Sequence, residues 1–221
     1  MNVLDAITNR RSTREFLDKT VDKETIRQVL DVAKWSPSGT NLQPWKVYIL
    51  TGKTLKKVSA EIVNAFDSGD VGKAEYEYYP TVKAEPYHSR RFACGMALYK
   101  ALGIGREDAH KRRQNWVANY QFFGAPAALI LTLDNRLRQG AWIDAGLFLQ
   151  SVMLSARGFG LETCPEFSIA AFPHIIKPLL GIPDGCTLVT GMALGYGAPD
   201  APVNNYRTER EPVDSFTQWF D

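Results

Sequence analysis

The sequence predicts a single α+β domain in which helices cover a central sheet. Patterns typical of helices outnumber those typical of strands, and the two do not alternate strictly along the chain. That order favours a layered α+β fold over a doubly wound parallel sheet. The chain has 221 residues, of which 45% are hydrophobic. This length and composition suit one domain with a sizeable core.

The first third of the chain is predicted to contain three helices and one strand. Asp22 is a plausible N-cap for the second helix, whose apolar residues recur at the spacing of one helical face. Pro37 ends that region, because proline restricts the residue before it and cannot donate to a helical hydrogen bond. The predicted elements are helices over 2–9, 23–35 and 53–65 and a strand over 46–50.

Residues 66–91 differ in composition from the rest of the chain. The segment carries four tyrosines and two prolines and has no clear periodicity. Such a stretch is either a disordered excursion or a functional lid. Its aromatic content favours the lid.

The second half is predicted to hold the central strand and a buried helix. Residues 127–133 are apolar on both faces, as in a central strand. Residues 142–157 are apolar nearly all round, so we expect that helix to be buried, with Gly158 and Gly160 at its C-terminal end. The other predicted elements are helices over 92–102, 106–120 and 170–180 and strands over 161–163 and 187–194. The polar tail from Gly197 ends in aromatic residues, a pattern typical of a segment that packs on another surface, such as a second subunit.

Composition and charge exclude several classes of function. The formal net charge of +2 argues against nucleic acid as a partner. No apolar run approaches the ~20 residues of a membrane span, and the N-terminus lacks the features of a secretory or transit peptide. The three cysteines form no CxxC pair and indicate reduced thiols in a cytoplasmic protein. The three histidines are scattered, so we expect no metal site.

The segment Arg10-Arg11-Ser12-Thr13-Arg14 concentrates three guanidinium groups and two hydroxyls. Such a group of donors suits a phosphate or another anion. The alternative is an ordinary charged helix end, because cations are favourable at a helix C-terminus.

A second polar segment, Ser36-Pro37-Ser38-Gly39-Thr40-Asn41-Leu42-Gln43-Pro44-Trp45, lies between a predicted helix and a predicted strand. It offers side-chain donors and acceptors beside a glycine, where a backbone could approach a planar ring. An ordinary turn would have a similar composition. Loops of this kind, held on a rigid scaffold, often carry ligands. Together, the two segments indicate a small enzyme that binds a phosphorylated cofactor.

Both segments resemble the start of the FMN-dependent nitroreductase family. Gly124-Ala125-Pro126, Gly158-Phe159-Gly160-Leu161-Glu162-Thr163 and Asn205-Tyr206-Arg207-Thr208-Glu209-Arg210 follow in the order of that family. The resemblance implies a nitroreductase-like three-layer α-β-α fold with a central mixed, mainly antiparallel sheet, in a domain-swapped homodimer. It also implies one FMN-binding domain over 1–221, with 66–91 as a lid insertion and 197–221 as a C-terminal extension.

The resemblance also implies the residues of the cofactor site. Arg10, Ser12 and Arg14 would hold the FMN phosphate, the ribityl chain and the pyrimidine edge, and Arg11 would contribute backbone or side chain. The other subunit would supply its polar loop, and the backbone after the long helix would face flavin N5. The phosphate grip would be completed by Arg210 or, as the second choice, Arg207. The loop residues are Pro37, Ser38, Gly39 and Asn41, and the N5-side residues are Pro165 and Glu166.

The resemblance further implies that the protein is a reductase that uses NAD(P)H as electron donor. It would reduce nitroaromatics, quinones or similar flat electrophiles by a ping-pong mechanism, with Tyr76, Tyr79 and Tyr87 lining the pocket of this small-molecule acceptor. The flavin carries the chemistry, so no catalytic side chain is assigned. Two alternatives remain open. The first is another reaction on the same fold, namely reductive dehalogenation, enone reduction or flavin breakdown. The second is a non-catalytic flavin-binding sensor.

Overall fold

The computed structural model describes residues 1–220 and confirms the α+β prediction. Four strands form one sheet in the order β1-β2-β4-β3, and every neighbouring pair is antiparallel. The strands are β1 (Lys46–Thr51), β2 (Ala127–Asp134), β3 (Glu162–Glu166) and β4 (Cys186–Gly195). The helices are α1 (Val3–Asn9), α2 (Lys23–Ala33), α3 (Gly52–Asp67), α4 (Tyr87–Ala101), α5 (Ala109–Tyr120), α6 (Gln139–Gly158), α7 (Pro173–Leu180) and α8 (Pro202–Asn205).

Helices cover both faces of this sheet, which gives the expected three layers. Strand β2 is buried on both sides because its residues alternate between two cores. Leu129 and Leu131 pack with α2 and α6 on one face, whereas Ala128 and Ile130 pack with α3, α5 and α7 on the other. The apolar run that predicted a central strand therefore serves two separate cores.

Strand β4 contains a β-bulge at Val189. Leu131 pairs with Thr190 and Thr132 pairs with Leu188, so Val189 is the extra residue. The bulge changes which side chains face which core. Leu188 packs against α7 and its neighbours, whereas Met192 packs on the α2 and α6 side.

Several element boundaries differ from the predictions. Asp22 occupies the N-cap of α2, but its side chain makes no capping hydrogen bond. Helix α4 begins at Tyr87, so the segment 66–91 is helical at both ends and irregular only between them. The predicted helix over 170–180 is divided into a 3₁₀ turn (Phe167–Ala171) and α7. The reason is that Pro173 suits only the first turn of a helix.

Helix α6 is not buried all round, which corrects the prediction made from its composition. One side packs in the core through residues such as Phe148 and Val152. The opposite side leaves Ile143 69% exposed and Leu147 exposed as well. An apolar helix face that a single chain leaves uncovered is typical of an interface.

The N-terminal segment after α1 runs beside β3, and the tail crosses back over it. Thr13 donates a backbone hydrogen bond to Thr163 O at 3.0 Å, and Leu17 donates one to Tyr196 O at 2.8 Å. These bonds bring residues 10–14 against the C-terminal third of the chain. None of the helices within residues 1–220 is long and apolar enough to cross a membrane.

Candidate functional site

A cavity of about 540 Å³ lies where the segment after α1 meets the C-terminal tail. We call it the arginine cavity. Five arginines line it, and no acidic side chain does so among the residues that the structure describes. Its lining includes Arg10, Arg11, Ser12, Arg14, Arg207 and Arg210. All four predicted residues of the 10–14 segment and both predicted tail arginines therefore meet in one place.

Two of these arginines are short of hydrogen-bond partners. The Nε atoms of Arg10 and Arg11 are buried, and neither has a partner within residues 1–220. Burial lowers the pKa of Arg10, and the nearby positive charges of Arg210 and Arg157 lower it further. A cluster of cations in this state is stabilised by an anion that offers several acceptor oxygens.

The other arginines are held by the surrounding backbone and side chains. Arg14 Nη1 donates to Tyr206 Oη at 3.1 Å and to Ser12 O at 3.4 Å. Arg207 Nη1 donates to Thr8 O at 2.9 Å, at the C-terminal end of α1. Arg210 bonds only within its own segment. Arg10 is thus the least engaged of the half-buried arginines, and Arg207 already has a structural role.

The polar loop over residues 36–45 lies elsewhere on the single chain. None of its residues lines the arginine cavity. Its backbone is held by α6, because Gly39 N donates to Asp144 Oδ1 at 3.2 Å. Thr40, Asn41 and Gln43 adopt positive φ angles of 48°, 60° and 49°. Such conformations cost energy for residues other than glycine and cluster at functional sites.

The predicted loop residues are presented outward rather than packed. Pro37, Gly39 and Asn41 are exposed, and Ser38 is half-buried, with its Oγ accepting a bond from Gln43 N at 3.0 Å. Trp35, next to the loop, is 82% exposed. The loop is therefore polar, tied to α6 by a hydrogen bond, and flanked by an exposed aromatic side chain.

The two predicted residues on β3 differ sharply in environment. Pro165 is exposed, whereas Glu166 is 3% exposed, and neither of its carboxylate oxygens has a hydrogen-bond partner. Burial raises the pKa of Glu166 well above its usual range, and the nearby Ala193 N–H and Arg14 offset only part of that effect. The same burial raises the pKa of Cys164 to about 12, with Glu166 adding to the shift. Burial therefore favours the protonated form of Glu166.

The three predicted substrate tyrosines separate into two groups. Tyr79 and Tyr87 line a second cavity of about 620 Å³ between residues 79–84 and α4, which we call the aromatic cavity. Tyr76 does not line it. Its hydroxyl donates to Val189 O at 2.6 Å, and its ring packs edge-on against Trp142 and Phe167. Tyr76 anchors the segment to the bulge of β4 instead of reaching the cavity.

Sequence reasoning missed several residues at the arginine cavity, among them Tyr206, Cys94 and Asn204. Tyr206 and Cys94 line it, and Asn204 fixes the backbone beside it. Tyr206 lies inside the C-terminal motif, so its position next to Arg207 was an available signal. Cys94 and Asn204 carry no signal in the sequence, because only the packing of α4 and α8 brings them there. No group of three or more potential metal ligands occurs in the described part of the chain.

A sequence model of the nitroreductase family matches residues 7–196, most of the chain. The protein belongs to the nitroreductase family. Among its relatives in this family, the chloronitrobenzene nitroreductase of Comamonas testosteroni is 38% identical over 96% of this chain and 94% of its own length. The 4-nitrobenzoate reductase of Pseudomonas putida is 37% identical over 96% of this chain and 93% of its own.

Solved structures of nitroreductase family members agree with this fold. The FMN and NADPH-dependent nitroreductase NfnB from sphigopyxis sp. strain HMH is 35% identical, and the two chains cover each other fully with a TM-score of 0.97. NfnB from Mycobacterium smegmatis, solved in complex with NADPH, is 27% identical with a TM-score of 0.93, over 99% of this chain and 97% of that one. The nitroreductase-like architecture expected from the sequence motifs is therefore confirmed.

Proposed function

We propose that this protein is an FMN-dependent oxidoreductase that takes hydride from NAD(P)H and reduces nitroaromatic compounds. The observation that carries the proposal is the arginine cavity, with its five arginines, no acidic lining residue and two buried Nε donors without partners. A phosphate of about −2 charge with several acceptor oxygens meets this demand. The relatives named above act on nitroaromatics, and the NfnB enzymes depend on FMN.

The residues present fit FMN. Arg10, Arg11 and Arg210 would neutralise its phosphate, and Ser12 and Arg14 would hold the remainder of the cofactor. When bound, FMN supplies the hydride chemistry, so this chain's residues need only bind, orient and exclude water. Glu166 is a buried acid beside this region, and its burial favours the protonated form.

We further propose that the active unit is a homodimer in which the polar loop comes from the second copy. The loop does not reach the arginine cavity of its own chain. The surface around it is apolar, with Trp35, Leu42 and Ile143 all exposed. The aromatic side chains at the end of the tail, Phe216 and Trp219, are exposed as well. Burying these surfaces against a second copy would remove apolar area from water and complete each site.

The finer features of the reaction follow from this arrangement. One binding face would serve donor and acceptor in turn, which is the basis of a ping-pong cycle, and flat quinones would enter by the same route as nitroaromatics. The whole of 1–221 would act as one FMN-binding domain, with 66–91 as the lid and 197–221 as an extension. Its three unpaired cysteines agree with a cytoplasmic location.

The test is the visible absorption spectrum of the purified protein under anaerobic conditions. Oxidised flavin bands should bleach when NADH or NADPH is added. After the nucleotide is removed, they should return on addition of nitrobenzene or 4-nitrobenzoate. That two-part result would establish both half-reactions separately. Bands that persist with both nucleotides would contradict the reductase and favour a flavin-binding sensor, and a protein that takes up no FMN would overturn the whole proposal.

A further inference from the structure

The aromatic cavity is built like a site for a flat organic ligand. Its volume of about 620 Å³ falls within the range of about 300–1,000 Å³ typical of small-molecule pockets. Aromatic and other large apolar side chains make up much of its wall, and several of them are exposed in the single chain. The principal ones are Tyr79, Tyr87, Phe92, Met96 and Tyr99.

Basic side chains line this cavity, and its wall contains no acidic side chain among the described residues. Lys83, His88 and Arg91 line it, and no carboxylate does so within residues 1–220. His88 is paired outside the cavity lining, because its Nδ1 lies 3.4 Å from Glu85 Oε1. Lys83 and Arg91 form no ion pair with any described residue.

Arg91 is positioned to receive an anion. Its guanidinium carbon lies 4.0 Å above the centroid of the Tyr79 ring. Stacking on an aromatic face restrains the guanidinium while leaving its in-plane N–H donors available for a carboxylate. The Tyr79 ring in turn packs edge-on against Phe167, with centroids 5.8 Å apart. Arg91 therefore stacks on Tyr79, and Phe167 in turn holds the Tyr79 ring in place.

The aromatic cavity and the arginine cavity have helix α4 in common. Phe167, which supports Tyr79, directly follows Glu166 on the chain. Helix α4 contributes Arg91 and Met96 to the aromatic cavity and Cys94 to the arginine cavity. A ligand in the aromatic cavity would thus lie next to the place where the cofactor is proposed to bind.

We propose that the aromatic cavity binds aromatic acids, and that Arg91 recognises their carboxylate with help from Lys83. The ring would pack among the tyrosine and phenylalanine side chains, and the nitro group would point away from Arg91. This inference rests on the proposed function and deepens it, because it makes nitroaromatic acids the preferred substrate class over neutral nitroaromatics. Arg91 then determines specificity by binding substrate.

The neighbouring Arg90 provides a matched control on the same helix. Its Nε donates to Glu211 Oε1 at 2.9 Å, on the C-terminal tail, and it does not line the aromatic cavity. Arg90→Gln and Arg91→Gln remove the same charge from adjacent positions. A change seen only in Arg91→Gln therefore reports on the cavity and not on the overall charge of the protein.

The experiment compares 4-nitrobenzoate with nitrobenzene, which differ by the carboxylate. On the FMN-loaded protein, kcat/KM for both compounds and the Kd of 4-nitrobenzoate, by titration calorimetry, are measured for wild type and both variants. For 4-nitrobenzoate, Arg91→Gln should lower kcat/KM and raise Kd, each by about tenfold or more, as expected when a charge-assisted contact is lost. The same variant should change kcat/KM for nitrobenzene by less than about twofold. Arg91→Lys should restore part of the lost affinity for 4-nitrobenzoate. Arg90→Gln should behave as wild type.

The outcomes separate this inference from the proposed function. If neither compound is reduced, the proposed function fails, and the Kd series still decides whether Arg91 binds the carboxylate. Equal effects of Arg91→Gln on both compounds, or no effect on either, would overturn the inference. The 2′-phosphate of NADPH is the other anion that could occupy this site. A loss of kcat/KM for NADPH with none for NADH or 4-nitrobenzoate would assign Arg91 to the nucleotide and overturn the inference.

Discussion

Asn204 Oδ1 accepts a hydrogen bond from the backbone N–H of Arg14 at 2.8 Å, across 190 residues of chain. The same amide donates from Nδ2 to Glu15 O at 2.8 Å and to Ala198 O at 3.0 Å. Asn204 is 1% exposed, so water cannot replace these bonds. One buried amide thus fixes the arginine segment against the C-terminal tail, and with it the shape of the arginine cavity.

Replacing Asn204 should therefore lower both the free energy of unfolding and the amount of bound cofactor. Asn204→Ala leaves the Arg14 N–H buried without an acceptor and should lower the free energy of unfolding by about 2–4 kcal/mol. Urea unfolding measures this loss, and the flavin content of the purified variant should fall with it. Asn205→Ala is the control, because Asn205 is exposed, and it should cost less than about 1 kcal/mol. Equal losses in the two variants would contradict the role of Asn204.

The bond between Tyr76 and Val189 predicts a stability effect from one hydroxyl. The bulge leaves Val189 O available to accept from the Tyr76 hydroxyl, at 2.6 Å. Tyr76→Phe should lower the free energy of unfolding by about 1–2 kcal/mol, because a carbonyl at the bulge loses its partner. Tyr78→Phe tests the same change on a ring that stacks on Phe167 without such a bond, and it should stay within about 0.5 kcal/mol of wild type. A Tyr76→Phe variant as stable as Tyr78→Phe would contradict a stabilising role for the bond between Tyr76 and Val189.

The buried acid Glu166 predicts a pH dependence of stability. Its pKa is raised on folding, so the folded chain keeps the proton while the unfolded chain loses it above its ordinary pKa of 4.5. Stability is then lost as the pH rises from about 5 toward the raised pKa, with a slope of at most ~1.4 kcal/mol per pH unit from this group. Below about pH 4 both states are protonated and the effect disappears.

Glu166→Gln removes this titration while keeping the shape of the side chain. The variant should match wild type near pH 4 and exceed it in unfolding free energy at pH 8. Urea unfolding at several pH values, for both proteins with the same flavin content, measures the difference. A constant difference across pH would show that Glu166 does not titrate in this range.

The sequence predicted the layered fold and the arginine segment because their signals are local. The apolar run of β2 and the amphipathic pattern of α2 each predict which of their own residues are buried. Coverage by another surface is not local, which is why the exposure of Ile143 on α6 was missed. Periodicity marks a face as apolar but does not say whether the same chain or a second one covers it.

The remaining features depend on contacts between distant parts of the chain. The bulge at Val189 is not fixed by the sequence, since Gly191 lies two residues further on and a single glycine within a strand does not locate a bulge. Asn204 looks like an ordinary polar tail residue until α8 packs beside Arg14. The sequence does not distinguish Tyr76 from Tyr79. Only the path of the segment 66–91 past β4 places Tyr76 on the bulge and Tyr79 in the wall of the aromatic cavity.

The central claim, that the arginine cavity binds the phosphate of FMN, is tested most directly by comparing FMN with riboflavin, which lacks the phosphate. Fluorescence titration of the flavin-free protein should give a Kd for FMN at least about 100-fold below that for riboflavin, as expected for charge-assisted contacts with several guanidinium groups. Arg10→Gln should raise the Kd of FMN toward that of riboflavin and leave riboflavin unchanged. The exposed Arg136→Gln should behave as wild type. Equal affinity of wild type for the two flavins, or an Arg10→Gln variant that weakens both alike, would contradict the claim.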